Sequence, residues 1–98
     1  IFDEIDRGVG GAVASAIGER LHRLAERSQL LVVTHSPQVA ARARHHYRIE
    51  KSHGPEGTRT TVRLLAPEER QEEIARMLSG AAVTDEARAQ AARLLEAA

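Results

Sequence analysis

The chain reads as an α/β fold, on three observations. Ile1-Phe2 is an apolar strand end that runs straight into Asp3-Glu4. Leu30-Leu31-Val32-Val33 is a short continuous apolar run, the mark of a strand covered on both faces, as in a parallel sheet. Between them Val13, Ile17, Leu21 and Leu24 recur at spacings of four, four and three, which puts them on one face of a helix. Strand, helix and strand in this order make a βαβ unit. The loops that follow its two strands lie at one sheet edge, where open α/β folds place their ligands.

The elements follow in chain order. The first strand is expected to end at Asp3-Glu4, and Asp6 to Gly11, with three glycines, is a loop. A helix is expected from Ala12 to about Glu26, with Arg20, Arg23 and Arg27 on or near its far side. The second strand falls within Gln29 to Thr34. Ser36-Pro37 then reads as an N-cap followed by proline at the first helical position, opening a short helix to about Arg44. Tyr47 to Lys51 and Thr58 to Leu65 are strand candidates. The second alternates Thr60, Val62 and Leu64 against Thr61, Arg63 and Leu65, and Ser52 to Gly57 is a turn by composition, so the two form an antiparallel hairpin. Pro67 opens a helix to about Ser79, apolar at Ile74, Met77 and Leu78, with Gly80 as its stop. Thr84-Asp85-Glu86 caps a last alanine-rich helix, with acids in its first turn, and helical character continues from Ala87 to Ala98.

Composition narrows the function classes. Phe2 and Tyr47 are the only aromatic residues, so Leu, Val, Ile and Ala must supply a modest core. That poverty, together with a first strand that begins without a polar lead-in, gives the expectation of a piece of a longer protein. Acidic and basic residues balance at 14 each, which argues against a dedicated DNA-binding module. Cysteine is absent, so no disulfide framework or thiolate metal site exists. No apolar run approaches the roughly 20 residues of a membrane span, and the first residues lack a signal-peptide pattern. A cytoplasmic setting and no membrane partner are expected.

Chemistry concentrates at the ends of the first two strands. An apolar strand followed by Asp3-Glu4 has the form of a Walker B motif. One carboxylate at such a strand end can hold Mg²⁺, usually through water, and a second can orient the attacking water. On this reading Asp3 is the metal-side acid and Glu4 the catalytic base. Taken alone, the pair is equally an ordinary solvated strand end. The second strand ends in Thr34-His35-Ser36, and a histidine there can donate a hydrogen bond to a phosphate or its attacking water. Taken alone, His35 is a polar residue satisfied by backbone. The pairing of His35 with Asp3-Glu4 across a βαβ unit favours the functional reading. Ile5-Asp6-Arg7-Gly8-Val9-Gly10-Gly11 occupies the position of a D-loop, where glycines permit close backbone approach; glycines alone also suit a plain strand-to-helix turn.

The resemblance that these segments carry is to RecN, a family of SMC-like, ABC-type ATPases. Ile1 to Gly11 resembles its Walker B motif and D-loop. Val32-Val33-Thr34-His35-Ser36-Pro37-Gln38-Val39-Ala40 is similar to its switch-histidine segment, although the family often has leucine where Ser36 stands. Lys51 and Thr58-Arg59-Thr60 resemble the following hairpin, and Glu72-Glu73-Ile74-Ala75-Arg76-Met77-Leu78-Ser79-Gly80 resembles its C-terminal helix. Asp-Glu plus histidine marks only the superfamily; the Gly-Val-Gly-Gly loop and the Glu-Glu-Ile-Ala-Arg-Met-Leu helix point to the family. The Pro-Thr/Ser-Ser-Ala-Leu-Asp run of a transporter ATPase is absent.

The resemblance implies a fold, a role and partners. The fold is the C-terminal part of a P-loop NTPase head of ABC/SMC type, with residues 1–98 as one portion of that head. The role is in double-strand break repair and recombination. ATP and Mg²⁺ are the implied cofactors, with Asp3 at the metal, Asp6 and Gly8 toward nucleotide and dimer interface, and Glu4 and His35 in hydrolysis. The implied partners are the remainder of the head, a second head, and DNA through the full-length assembly, in a nucleoid-associated cytoplasmic setting. No Gly-x-x-x-x-Gly-Lys-[Ser/Thr] occurs, so the phosphate-cradling loop is missing and the chain alone is expected to be inactive. Leu78-Ser79-Gly80 shares letters with an ABC signature but follows the Walker B segment instead of preceding it. Leu78 is therefore read as core and Gly80 as a helix stop.

Two alternatives stand beside this reading: a non-catalytic interaction module that keeps the ATPase shape, and the head of another SMC- or RecF-like ATPase. His45, His46 and His53 suggest a metal site only weakly, since strand neighbours point to opposite faces. Arg42, Arg44, Arg48 and Arg59 near the hairpin read first as solvated surface.

Overall fold

In the computed structural model, which describes residues 1–80 and 82–97, the βαβ unit forms as expected. Strand β1 (Phe2–Asp3) pairs in parallel with β2 (Val32–Val33), Phe2 opposite Val32 and Asp3 opposite Val33. Helix α1 (Gly11–Ala25) connects them and packs on one face of this small sheet, where Phe2, Ile17, Leu30 and Val32 gather around Ala14, Leu21 and Val39. The expectation of strands buried on both faces is corrected. Val32 and Val33 are half-buried and Leu31 is 57% exposed, because no second layer covers the other face among the described residues. The helix face also shifts. Ala14, Gly18 and Leu21 are its buried residues, whereas Val13 and Leu24 are about half exposed. Gly18 lies where the next helix comes closest. A Cβ there would lie 3.1 Å from the Gln38 carbonyl oxygen and 3.3 Å from Val39 Cα, a tight fit that the neighbouring turn would have to yield to by a few tenths of an ångström.

That helix, α2 (Pro37–Ala40), is a single turn. Ser36 caps it, accepting a hydrogen bond from the Val39 N–H at 3.4 Å, and Pro37 begins it, as the sequence predicted. It stops well short of Arg44. The Arg70 guanidinium reaches the carbonyls of Ala40 at 3.0 Å, Ala41 at 3.1 Å and Ala43 at the end of the turn, where Ala40 also accepts from the Ala43 N–H at 3.2 Å. Val39 belongs to the core of the βαβ unit and Ala41 to the second core, so this one turn joins the two.

The second core lies between α3 (Pro67–Ser79) and α4 (Asp85–Glu96). Ala41, Ile74, Ala75, Ala87 and Ala91 form its centre, with Leu78, Val83, Leu94 and Leu95 around them. The predicted Pro67, Gly80 and Thr84 signals hold, and a contact at the start of α3 joins them. Glu69 accepts from the Ala66 N–H at 3.1 Å, Gly80 ends α3 with φ +78°, and Thr84 caps α4 by accepting from Ala87 N–H at 3.1 Å. The helical reading of Ala98 lies outside the described residues.

Strands β3 (Tyr47–Gly54) and β4 (Gly57–Leu64) form the antiparallel hairpin, longer than expected, with Gly54 opposite Gly57 around a two-residue Pro55-Glu56 turn. Gly57, at φ +109°, allows the tight closure. Its orientation inverts the usual pattern. Arg48 and Arg63 turn toward the helices and pair with Glu73 and Glu69, while Tyr47, Ile49, Val62 and Leu64 point outward, 51–64% exposed. His45 and His46 precede the strand instead of lying on it. His46 docks on α3 near Arg70 and Glu73, and no group of three metal-ligating side chains occurs among the described residues. No helix there is long and apolar enough to cross a membrane.

This packing makes two stability predictions. Ile74 is fully buried, and Ile74→Ala is expected to cost about 2–5 kcal/mol in urea denaturation; a loss below about 1 kcal/mol would show that the helix pair closes over the gap. Burial holds the His46 imidazole below its ordinary 6.5, Arg70 pushes the same way and Glu73 opposes them. As pH falls below 6.5 the unfolded chain therefore protonates first. The stability that His46 contributes is full above that pH and is lost as pH falls through the folded value. His46→Gln should flatten the decline just below pH 6.5. The decline at more acidic pH should persist, because Arg63 and Arg88 hold the Glu69 and Glu72 carboxyls below 4.5.

Candidate functional site

The parallel register of β1 and β2 decides where the candidate residues fall. Glu4 N–H donates to the Val33 carbonyl at 2.7 Å, which sets Glu4 one step beyond β1 and next to the Thr34-His35-Ser36 turn. There the Glu4 Oε1 and His35 Nε2 lie 3.0 Å apart. The contact is an ion pair when the imidazole is protonated and a close polar approach when it is neutral. The two groups differ in enclosure: the His35 side chain is 90% exposed and that of Glu4 33%. Arg7 approaches the other Glu4 oxygen at 3.8 Å.

Glu4 adopts φ +49°, the sole positive φ outside glycine among the described residues. Left-handed backbone is uncommon for a side chain of this kind and costs of order 1 kcal/mol. It turns the chain sharply off the strand and into the glycine-bearing loop. Strained residues of this sort concentrate at functional sites.

Asp6 is the enclosed acid, 8% exposed. It accepts a hydrogen bond from the Thr34 hydroxyl, and Thr34 Oγ1 in turn accepts from Ser36 N–H at 2.9 Å. Glu4, Asp6, Gly8 and His35, with Gln38 and Met77, line an open cleft of about 650 Å³. Asp3 does not line it. Its side chain is exposed at the end of β1 and enters no hydrogen bond or ion pair with another described residue. The structure thus gathers four of the five sequence-predicted residues and leaves the fifth on the adjoining strand end. Thr34 is the residue that sequence reasoning misses. The available signal is a hydroxyl at the last strand position, directly before the histidine.

The donor set suits a hard divalent cation with phosphate: carboxylates at a strand end, one of them open to solvent, beside an imidazole N–H. What it does not contain is a backbone cradle for phosphate, consistent with the missing glycine-lysine loop motif.

No protein-family model matches the chain. Curated relatives do. It is 59% identical over 80 residues to the DNA repair protein RecN of Deinococcus radiodurans, across 82% of this chain and 14% of that protein. It is 49% identical over 96 residues to RecN of Xylella fastidiosa, across 98% and 17%. With RecN of Streptomyces coelicolor it shares 50% over all 98 residues, 17% of that protein. The chain belongs to the RecN family. It spans 14–17% of the length of these RecN relatives.

The strain at Glu4 gives this RecN segment a testable property. Asparagine tolerates left-handed backbone better than glutamate does. The pairings of the Glu4 carboxylate with His35 and Arg7 are open to solvent, so their removal costs little. Glu4→Asn should leave the unfolding free energy unchanged or raise it by up to about 1 kcal/mol. A clear loss in urea denaturation would show that the side-chain pairings outweigh the backbone.

Proposed function

We propose that this chain supplies the Walker B, D-loop and switch-histidine segments of a RecN-type ATPase head, with residues 1–98 as one part of that head. The observation that carries the reading is the Glu4–His35 contact, 3.0 Å, at the ends of two adjacent parallel strands. A base and a hydrogen-bond donor set side by side at that edge can act on one water and one phosphate. The similarity to proteins named DNA repair protein RecN supports the role of the complete protein in double-strand break repair and recombination, and favours it over another SMC- or RecF-like head.

In the complete protein, Asp3 would hold Mg²⁺ through water, its carboxylate free for that purpose. The cation, when bound, would neutralise charge on the β- and γ-phosphate oxygens of ATP. Glu4 would accept hydrogen-bonded water and orient it for attack. His35 would offer its N–H to the γ-phosphate or to that water. The phosphate cradle would come from elsewhere in the protein, so these 98 residues alone bind MgATP poorly. Gly8 and the loop around it would face a second head.

The exposed apolar face of the hairpin, Tyr47, Ile49, Val62 and Leu64, and the exposed Leu31 just before β2 are surfaces that the remainder of the head would cover. DNA would be engaged by the full-length assembly, since the segment has no net charge. A cytoplasmic, nucleoid-associated setting goes with that role.

Glu4→Gln in the full-length protein is expected to permit ATP-dependent head engagement while lowering steady-state hydrolysis by roughly a hundredfold or more, the scale of a lost general base. Steady-state phosphate release checks the second part and cross-linking of heads the first. Turnover at the wild-type rate would remove the assignment of Glu4.

A further inference from the structure

His35 has little to hold it. Its side chain is 90% exposed and its only polar contact among the described residues is Glu4. An imidazole so exposed reaches the same partner repeatedly only if the backbone that carries it is fixed. The residues on either side of His35 provide that fixing. Thr34 Oγ1 donates to Asp6 Oδ2, and Ser36 N–H donates back to Thr34 Oγ1 at 2.9 Å. Ser36 is held a second time as the cap of α2, accepting from Val39 N–H at 3.4 Å. One hydroxyl therefore joins the loop after β1 to both shoulders of the histidine.

We infer that Asp6 and Thr34 form a clamp that positions His35 against Glu4, with the Thr34 hydroxyl as the relay; this rests on the roles proposed above for Glu4 and His35. Asp6 is thereby a positioning residue that acts through Thr34, not a group that touches nucleotide. Its burial agrees with that role. At 8% exposure it is the most enclosed carboxylate at the site, and its Oδ2 is taken by Thr34. The hydroxyl is essential to the device because it donates and accepts at once. Valine has the same shape but does neither, and would leave the Asp6 carboxylate buried without its partner. Serine keeps both functions.

The test uses full-length RecN carrying this segment, in four forms: wild type, Thr34→Val, Thr34→Ser and Glu4→Gln. Two readouts are taken: the ¹⁵N resonances of the His35 ring without nucleotide, which report the surroundings of Nε2, and kcat and KM for ATP. Thr34→Val should move the His35 ring resonances in the same sense as Glu4→Gln. It should also lower kcat roughly ten- to a hundredfold with KM changed about twofold at most, the signature of misplacement rather than lost binding. Thr34→Ser should restore both readouts. If Thr34→Val does not fold, Thr34→Ala removes the hydroxyl without its bulk and carries the same expectations.

Wild-type resonances and turnover in the hydroxyl-free variant, alongside a strong effect of Glu4→Gln, overturn the clamp and leave the ATPase reading standing. Equal losses in Thr34→Val and Thr34→Ser also overturn it, since packing and not the hydroxyl would then be responsible. Wild-type turnover in Glu4→Gln removes the role proposed for Glu4, and the clamp with it.

Discussion

Backbone hydrogen bonds hold β1 beside β2, among them Phe2 N–H to the Leu31 carbonyl at 2.8 Å and Glu4 N–H to the Val33 carbonyl at 2.7 Å. Their spacing fixes the register of a parallel pair, and parallel pairing requires a crossover, here α1. The same register brings Phe2 and Val32 onto one face under α1 and delivers the two loops beyond the strands to one edge. A slip of one residue would reverse the faces of β1, carrying Phe2 away from Leu21 and Ala14 and Glu4 away from His35. The meeting of carboxylate and imidazole is thus a consequence of main-chain geometry, with side-chain bonds refining it.

The site is coupled to the rest of the molecule through α2. Its single turn is too short to be stable on its own helical hydrogen bonds. Three external features hold it: the Ser36 cap and Pro37 at its start, the close approach of Gly18 along its side, and the Arg70 guanidinium at its end. A cation at a helix C-terminus is favourable both as a donor to unpaired carbonyls and against the helix dipole. Burial opposes the charge on Arg70 and lowers its pKa, but an arginine remains protonated throughout the physiological range. The α3–α4 core is in this way tied to the segment that begins at His35, and changes in the helical pair have a physical route to the site.

Most elements are legible from periodicity and end signals. The Ser36-Pro37, Gly80 and Thr84 signals each mark an observed boundary, because capping is local chemistry. Tertiary decisions are less legible. The spacing of Val13, Ile17, Leu21 and Leu24 suggests a face centred on large residues, yet the buried stripe runs through Ala14 and Gly18, where smallness matters more than hydrophobicity. At the early end of α2 the Ala40 carbonyl meets Arg70, thirty residues away, a contact that no local pattern reveals. Alternation in β4 is visible, but the strand is exposed along its whole length, and among the described residues it reaches the helices only through the Arg63 side chain at Glu69. At the site, Asp3, Glu4 and His35 announce themselves by type and position. The Asp6–Thr34 bond does not, since a threonine ending an apolar strand looks like part of that strand.

Shortage of aromatic residues shapes how the structure coheres. With Ile74 the one large side chain among the nearly inaccessible residues, both cores rely on small groups at close range: Ala14 and Gly18 against α2, and Ala41, Ala75, Ala87 and Ala91 between the helices. Each such contact buries little area, so the hydrophobic term per residue is modest. Close approach gives compensating dispersion and lets a side-chain donor reach backbone acceptors on another element, as the Arg70 guanidinium does to the Ala40 carbonyl of α2. The balance is asymmetric. Added bulk at an alanine or glycine position separates whole elements, whereas trimming a peripheral leucine leaves the spacing intact. At Gly18 such a separation would displace α2, and with it Ser36 and the turn that presents His35. The packing that makes this segment small and dense is therefore the same packing that sets the distance from imidazole to carboxylate.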